Sequence, residues 1–285
     1  MASDVVSPQQ GVWGRLRQDR KALVSLAVLG LLALVAVIGP ALAPHDPRAQ
    51  DFDILQAPSL SHLMGTDSLG RDVLSRVIAG ARVSAMVGLG VAIVGMVIGV
   101  TLGLIAGFAG GKIDDLISRY VDIQWAFPEL ILAIALISVF GIGVEKVIIA
   151  IAFAYVDDFA RLARAEALRL KQEEFVLAAR VTGMTSRRII VSEILPNAVG
   201  PLVVQATIAV GLGILGEATL TFLGLGVEPS TPTWGLILEE SRDFFQQAWW
   251  LGVFPGLAIV VTVLSLNLFG DSLRDAMDVR DTETG

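Results

Sequence analysis

The sequence predicts an all-α integral membrane protein with six transmembrane helices. Of its 285 residues, 54% are hydrophobic and only 17% are charged, whereas soluble domains carry about 25% charged residues. Mean hydropathy is +0.70. One of the six predicted spans, the fourth along the chain, is a less apolar run that begins at Val147. The other five runs are long enough to cross a bilayer as helices and carry at most one charge each: 22–43, 83–111, 123–144, 198–226 and 248–270.

The first span follows a basic segment and ends at Ala41, Leu42 and Ala43, a pattern similar to a signal-peptide cleavage site. A signal peptide usually has an apolar region of about 7–15 residues, and the run 22–43 is longer. We therefore interpret it as a membrane anchor that stays in the protein.

Six spans place both termini on one side of the membrane. Of the 21 Lys and Arg residues, fifteen fall on the side of the termini and six on the other. Because positive residues favour the cytoplasm, we expect both termini to be cytoplasmic. The predicted segments are a cytoplasmic N-terminal segment 1–21, an extracytoplasmic loop 44–82, a five-helix core 83–270 with a cytoplasmic loop 166–197 and an extracytoplasmic loop 227–247, and a cytoplasmic tail 271–285.

Composition and motifs exclude several functions. The net charge of −7 gives no basic surface for nucleic acid. Cysteine is absent, and the two histidines, His45 and His62, show no metal-like spacing, so we expect no metal site. The chain has no GxxxxGK[ST] phosphate loop and no hydrolase motif, so we expect neither bound cofactor nor enzymatic activity. A self-contained secondary transporter or channel remains open.

The inner loop 166–197 has the pattern of a helix-turn-helix. Two adjacent glutamates open a short helix, where negative charge suits the helix dipole, and Gly183 ends it. Thr185 or Ser186 can cap a second helix through Ile190. On spacing alone, an amphipathic loop lying at the membrane interface explains the pattern equally well.

Several motifs of this chain resemble a known family. The pair Ala178-Ala179, then Gly183 and Leu195-Pro196, are similar to the Glu-Ala-Ala loop of ABC importer permeases. Three further segments resemble dipeptide, oligopeptide and nickel permeases, most closely their C-type subunit. The resemblance covers residues 15–280. The three segments are HLMGTDSLGRDVLSR at 62–76, FLGLG with PSTPTWG at 222–235, and WW to SLRD at 249–275.

This resemblance implies a type I ABC importer permease fold with cytoplasmic coupling helices, in a bacterial inner membrane. It implies one half of a translocation pore, paired with a B-type permease, two ATPase subunits that bind ATP and Mg, and an extracytoplasmic substrate-binding protein. Peptides are the expected cargo, and nickel chelates or glutathione-like peptides are alternatives. The residues expected to couple the ATPase to the pore are Glu174, Ala178, Ala179, Arg180, Gly183, Arg187, Arg188 and Pro196.

Glycines recur at every fourth position of the second span, on one helix face. Small residues at this spacing let a second backbone approach closely, so we expect tight helix packing there, although a moving helix pair would also use such a face. The row comprises Gly95, Gly99, Gly103, Gly107 and Gly111.

Glu217 stands inside an apolar span, where an unpaired charge is costly. We predict that it and Trp234 line the substrate pathway, and the alternative is a buried structural partner. Arg71, Asp72 and Arg76 are expected to pair along one helix. The last outer loop forms a candidate acidic docking rim or a solvated interfacial helix. Its acidic residues are Glu228, Glu239, Glu240 and Asp243.

Overall fold

A computed structural model describes residues 11–278, and all regular elements in that range are helices. Predictions for residues 1–10 and 279–285 lie outside the described residues. A π-helical turn, Ile190–Ile194, connects α9 to α10. The helices are α1 Val12–Leu16, α2 Arg20–Leu42, α3 Val73–Ala109, α4 Gly111–Trp125, α5 Glu129–Phe140, α6 Val144–Ala154, α7 Val156–Leu170, α8 Glu174–Val181, α9 Ser186–Ile189, α10 Leu195–Phe222, α11 Trp234–Phe244 and α12 Trp250–Asp278.

Within residues 11–278, four helical stretches are long and apolar enough to cross a membrane: Arg20–Gly39, Val73–Ala109, Ser186–Phe222 and Trp250–Met277. Helices α4 and α5 make a fifth if they count as one span, but they are bent by 91°. The expected straight span over 123–144 is therefore broken. Pro128 explains the break, because it has no N–H to donate and disfavours helical geometry at the residue before it.

The run that begins at Val147 is made of two helices end to end, α6 with 11 residues and α7 with 15. Both lie along α3 and run in the same direction. A Cβ added at Gly90 of α3 would contact Ile148, one at Gly99 would contact Val156, and one at Gly107 would contact Ala167. Together α6 and α7 therefore follow α3 along much of its length, although neither alone is long enough to span a bilayer.

Helix α3 begins at Val73, so the predicted apolar span 83–111 and the helix expected to run into it form one continuous helix. The side chain of Asp72 caps it by accepting a hydrogen bond from the backbone N–H of Ser75 at 2.8 Å. By hydropathy alone the apolar span begins only after Arg82, and Arg76 is a second charged residue upstream of it. In the structure Arg76 is buried inside the helix bundle, so the helix continues past both charges.

The connections collect at two ends of the helix bundle, which we name after the predicted orientation. At the outer end, the N–H of Gly143 donates to the carbonyl of Gly226 at 3.1 Å, so the turns after α5 and α10 meet. At the inner end, Val176 and Ile189 of the loop 171–194 belong to the same buried apolar cluster as Ala167 of α7. This arrangement leaves one side of that loop free.

Candidate functional site

The predicted break at Gly183 is present, between helices α8 and α9. Gly183 has φ +81°, a conformation that favours glycine. Its N–H donates to the carbonyl of Arg180 at 3.0 Å, and the N–H of Met184 donates to Ala179 at 3.1 Å. These two bonds form a Schellman motif, which satisfies carbonyls at the end of α8 and reverses the chain.

Helix α8 has an anchored face and a free face. Val176 is fully buried and Ala179 is 7% exposed, and both belong to the apolar core at the inner end. On the other face Leu177 is 48% exposed and Val181 is 89% exposed. The remaining residues predicted to couple the ATPase are exposed: Glu174, Ala178, Arg180, Gly183, Arg187, Arg188 and Pro196.

Two contacts connect this loop to the inner end of α3. The ammonium Nζ of Lys171 donates to the carbonyl of Gly107 at 2.8 Å. The guanidinium of Arg180 lies 5.0 Å from the ring centre of Phe108, within the range of a cation–π interaction. A displacement of α8 would therefore be transmitted directly to α3.

The second helix of the predicted pair differs from expectation. Thr185 precedes α9, but no side chain caps that helix. Instead of ending near Ile190, the helix continues through the π turn into α10, with Pro196 in the first turn of α10. A π turn accommodates a proline that cannot donate to the preceding turn. The loop thus joins directly to a membrane-length helix.

The glycine row of α3 packs against α7. A Cβ at Gly99 would lie 2.5 Å from the carbonyl oxygen of Val156, and one at Gly107 would lie 2.7 Å from that of Arg164. Gly103 is equally crowded by Ala160, whereas a Cβ at Gly95 would make an ordinary contact with Phe159. Gly111 does not belong to the row, because α3 ends at Ala109 and open space surrounds Gly111.

Glu217 and Trp234 lie inside the subunit. Glu217 is fully buried in α10, and its Oε1 accepts a hydrogen bond from the hydroxyl of Thr221 at 2.9 Å. The indole Nε1 of Trp234 donates to the carbonyl of Val77 in α3 at 2.9 Å. In this structure both residues therefore occupy the packing between α3, α10 and α11, which is the alternative to the pathway role predicted for them.

The outer segment before α3 is held by a buried ion cluster of Asp67, Arg71, Arg76 and Glu240. Arg71 Nε lies 2.6 Å from Asp67, and Arg76 donates to both Asp67 and Glu240. Two guanidinium groups meet two carboxylates, so the cluster is neutral as a whole. The expected pairing of Arg71 and Arg76 with Asp72 is wrong, and Glu240 belongs to this cluster rather than to an acidic rim.

Asp72 instead meets both histidines of the chain, a grouping that sequence spacing did not predict. His62 Nδ1 lies 2.9 Å from Asp72 Oδ1, and His45 Nδ1 lies 3.7 Å from Asp72 Oδ2. Burial alone would raise the pKa of Asp72, but hydrogen bonds from Ser75 and His62 outweigh it and hold the pKa below its usual value. The three side chains come from separate turns of an irregular segment.

Comparison with known proteins identifies the family that this chain matches. Residues 99–280 match the model of binding-protein-dependent transport system inner membrane components, and residues 7–58 match the N-terminal TM domain of oligopeptide transport permease C. The dipeptide transport system permease protein DppC of Alkalihalophilus pseudofirmus is 43% identical over 274 residues, which cover 96% of this chain and 90% of that protein. The glutathione transport system permease protein GsiD of Escherichia coli is 44% identical over 276 residues, covering 96% and 91%.

A solved structure of the MetNI methionine ABC transporter, in an inward-facing conformation, shares the fold. Its TM-score is 0.60 at 20% identity, over 71% of this chain and 96% of that one. The match confirms the predicted all-α permease fold. The chain therefore belongs to the family of binding-protein-dependent transport system inner membrane components and is a multi-pass permease subunit of an ABC importer, in which the ATPase is a separate subunit.

Proposed function

We propose that this chain forms one half of the membrane pore of an ATP-driven importer of di- and oligopeptides. Helix α8 supports the proposed coupling to ATP hydrolysis. Its buried face is anchored in the core at the inner end, and Leu177 and Val181 are exposed on its other face. Permease relatives named for dipeptides and di/tripeptides support the cargo, at 43% and 40% identity.

In this proposal the second half of the pore is a B-type permease. Two ATPase subunits dock on α8 and on the exposed Arg187 and Arg188, and they bind ATP and Mg. ATP binding favours one of two pore conformations because the ATPases have different affinities for the two. The contacts of Lys171 and Arg180 with the end of α3 carry the displacement into the pore. The termini lie in the cytoplasm, and a binding protein delivers cargo at the outer end.

Glutathione is a second candidate cargo, because the relative named for glutathione transport is 44% identical over nearly the whole chain. In this proposal the binding protein selects between these peptides. A self-contained secondary transporter or channel would work without the ATPases.

Uptake by the reconstituted complex tests the proposal. Proteoliposomes with this chain, its partner permease, both ATPases and the binding protein should accumulate a labelled dipeptide only when ATP is supplied. Competition with unlabelled dipeptide and with glutathione then ranks the two cargoes. Uptake of peptide by this chain alone, without ATP, would contradict the proposal.

A further inference from the structure

The only two histidines of the sequence meet one carboxylate at the outer end. His45, His62 and Asp72 each offer one ligand atom, and these atoms all lie within 4.8 Å of one another. No site described above uses this grouping. It is also independent of the coupling loop, which lies at the opposite end of the bundle.

One atom of the group has an unused bonding capacity. His45 Nδ1 is buried, and it has no hydrogen-bond partner among the described residues. Such atoms are rare in folded proteins because leaving them unpaired costs free energy. The nitrogen faces the carboxylate of Asp72 at 3.7 Å, too far for a hydrogen bond. A cation between the two would give this nitrogen the partner that it lacks.

The surrounding residues already orient the three side chains. Ser75 donates to Asp72 Oδ2 from its backbone N–H at 2.8 Å and from its hydroxyl at 2.7 Å, and the same hydroxyl oxygen accepts from the backbone N–H of His45 at 3.1 Å. The ring of Phe52 packs edge-on against both imidazoles, at 4.8 and 4.4 Å between ring centres. Hydrogen-bonded outer residues of this kind orient the ligands in metal sites.

We propose that His45, His62 and Asp72 bind a divalent transition-metal ion of the zinc class. The Nδ1 atoms of the two histidines and one carboxylate oxygen of Asp72 would be its ligands, a donor set that suits zinc. Tetrahedral zinc places such ligand atoms about 3.4 Å apart. His62 Nδ1 lies 2.9 Å from Asp72 Oδ1 and His45 Nδ1 lies 3.7 Å from Asp72 Oδ2, so a small rotation of the Asp72 carboxylate would present one oxygen to both nitrogens. His45 remains 32% exposed, which leaves access for a fourth ligand such as water.

Metal binding would fasten the outer loop 44–72 to the first turn of α3. Binding through Nδ1 of His62 would replace its hydrogen bond to Asp72 and would place the ring proton on Nε2. The simpler alternative is a histidine–aspartate hydrogen bond that only supports the helix cap, with no affinity for metal.

Zinc titration of the full-length chain separates these two cases. The chain is purified in detergent with a tag that contains no histidine, is treated with a chelator, and is titrated with zinc chloride in a calorimeter. We expect one zinc ion per chain and a higher melting temperature with zinc. The chain has no cysteine and no other histidine, so background binding is low.

Two variants and a control test whether His45 and His62 are the zinc ligands. His45→Phe keeps a ring against Phe52 and removes a nitrogen that forms no hydrogen bond, so it should melt normally without zinc yet bind zinc at least tenfold more weakly. His62→Asn can still donate to Asp72 and should weaken binding to a similar degree. The control Asp46→Asn changes an exposed neighbouring carboxylate and should bind like wild type.

Absence of stoichiometric zinc binding by wild type would overturn the proposal. Equal affinity in wild type, His45→Phe and His62→Asn would overturn it as well, because the zinc would then be bound elsewhere. If His62→Asn lowers the melting temperature without zinc, His45→Phe alone decides the question.

Discussion

A carboxylate oxygen of Glu240 in α11 lies 2.7 Å from the guanidinium Nη1 of Arg76 in α3, although 164 residues separate them in the chain. The side chain of Arg76 is 1% exposed and that of Glu240 is 15% exposed. The contact joins the outer start of α3 to the last outer helix. Because Arg76 is fully buried and Glu240 is mostly shielded from solvent, removal of Glu240 would leave the charge of Arg76 without its partner.

We expect Glu240→Ala to destabilise the protein by about 3–5 kcal/mol, the usual cost of removing one partner of a buried ion pair. Two buried arginines would then share the single carboxylate of Asp67. Thermal unfolding in detergent measures the effect. Glu239→Ala is the matched control, since Glu239 takes part in no ion pair among the described residues. Equal melting temperatures for the two variants would refute the stabilising role of the cluster.

Packing of α3 on α7 predicts that Gly99→Ala is harmful. The added methyl group would meet the carbonyl of Val156 at 2.5 Å, and such overpacking costs about 1–3 kcal/mol. We expect a lower melting temperature and less assembled complex. Gly30→Ala in α2 is the control, because no atom of the described residues lies within 4 Å of the added group. If Gly99→Ala assembles as well as Gly30→Ala, α3 and α7 are not closely packed in the complex.

Local patterns predicted the features that depend on local chemistry. The break at Gly183 and the glycine face of α3 follow from residue type and helical spacing. Features that depend on distant partners have no local signature. The burial of Arg76 at the start of α3 requires Glu240, which is remote in the sequence. Hydropathy over 123–144 does not register Pro128, at which the 91° bend occurs. His45 and His62 meet only through an irregular segment, which has no period to detect.

The buried position of Glu217 predicts a structural rather than a transport phenotype. Its Oε1 accepts from Thr221, and a neutral amide oxygen can accept the same bond. We expect Glu217→Gln to assemble and transport like wild type, and Glu217→Ala to lower the yield of folded complex. Peptide uptake and complex yield are the measurements. Reduced uptake by a fully assembled Glu217→Gln variant would instead support the pathway role.

The predicted orientation can be tested with single cysteines, because the sequence contains none. We expect a membrane-impermeant maleimide to label Thr231→Cys in intact cells and Ser186→Cys only after lysis. Thr231 lies in the loop before α11, and Ser186 begins α9 at the opposite end of the bundle. The reverse labelling would place the coupling loop outside the cell and exclude contact with an ATPase.

The coupling loop depends on the conformation of Gly183. A β-branched residue is strongly disfavoured at φ +81°, whereas asparagine tolerates this region. Open space surrounds the glycine, so a clash plays no part. Gly183→Val should therefore misplace α9 relative to α8 while the chain still inserts, and Gly183→Asn should behave like wild type.

Reversal of two exposed charges, Arg187→Glu with Arg188→Glu, should weaken ATPase association.

The most direct test is ATP hydrolysis by the reconstituted complex, measured with and without peptide-loaded binding protein and alongside peptide uptake. Wild type and Gly183→Asn should show hydrolysis that loaded binding protein stimulates, and uptake that follows it. Gly183→Val and the double arginine variant should lose that stimulation or hydrolyse ATP without uptake, while their permease content in the membrane stays unchanged. Normal stimulated hydrolysis and normal uptake in both variants would contradict the assignment of this loop as the element that couples the ATPase to the pore.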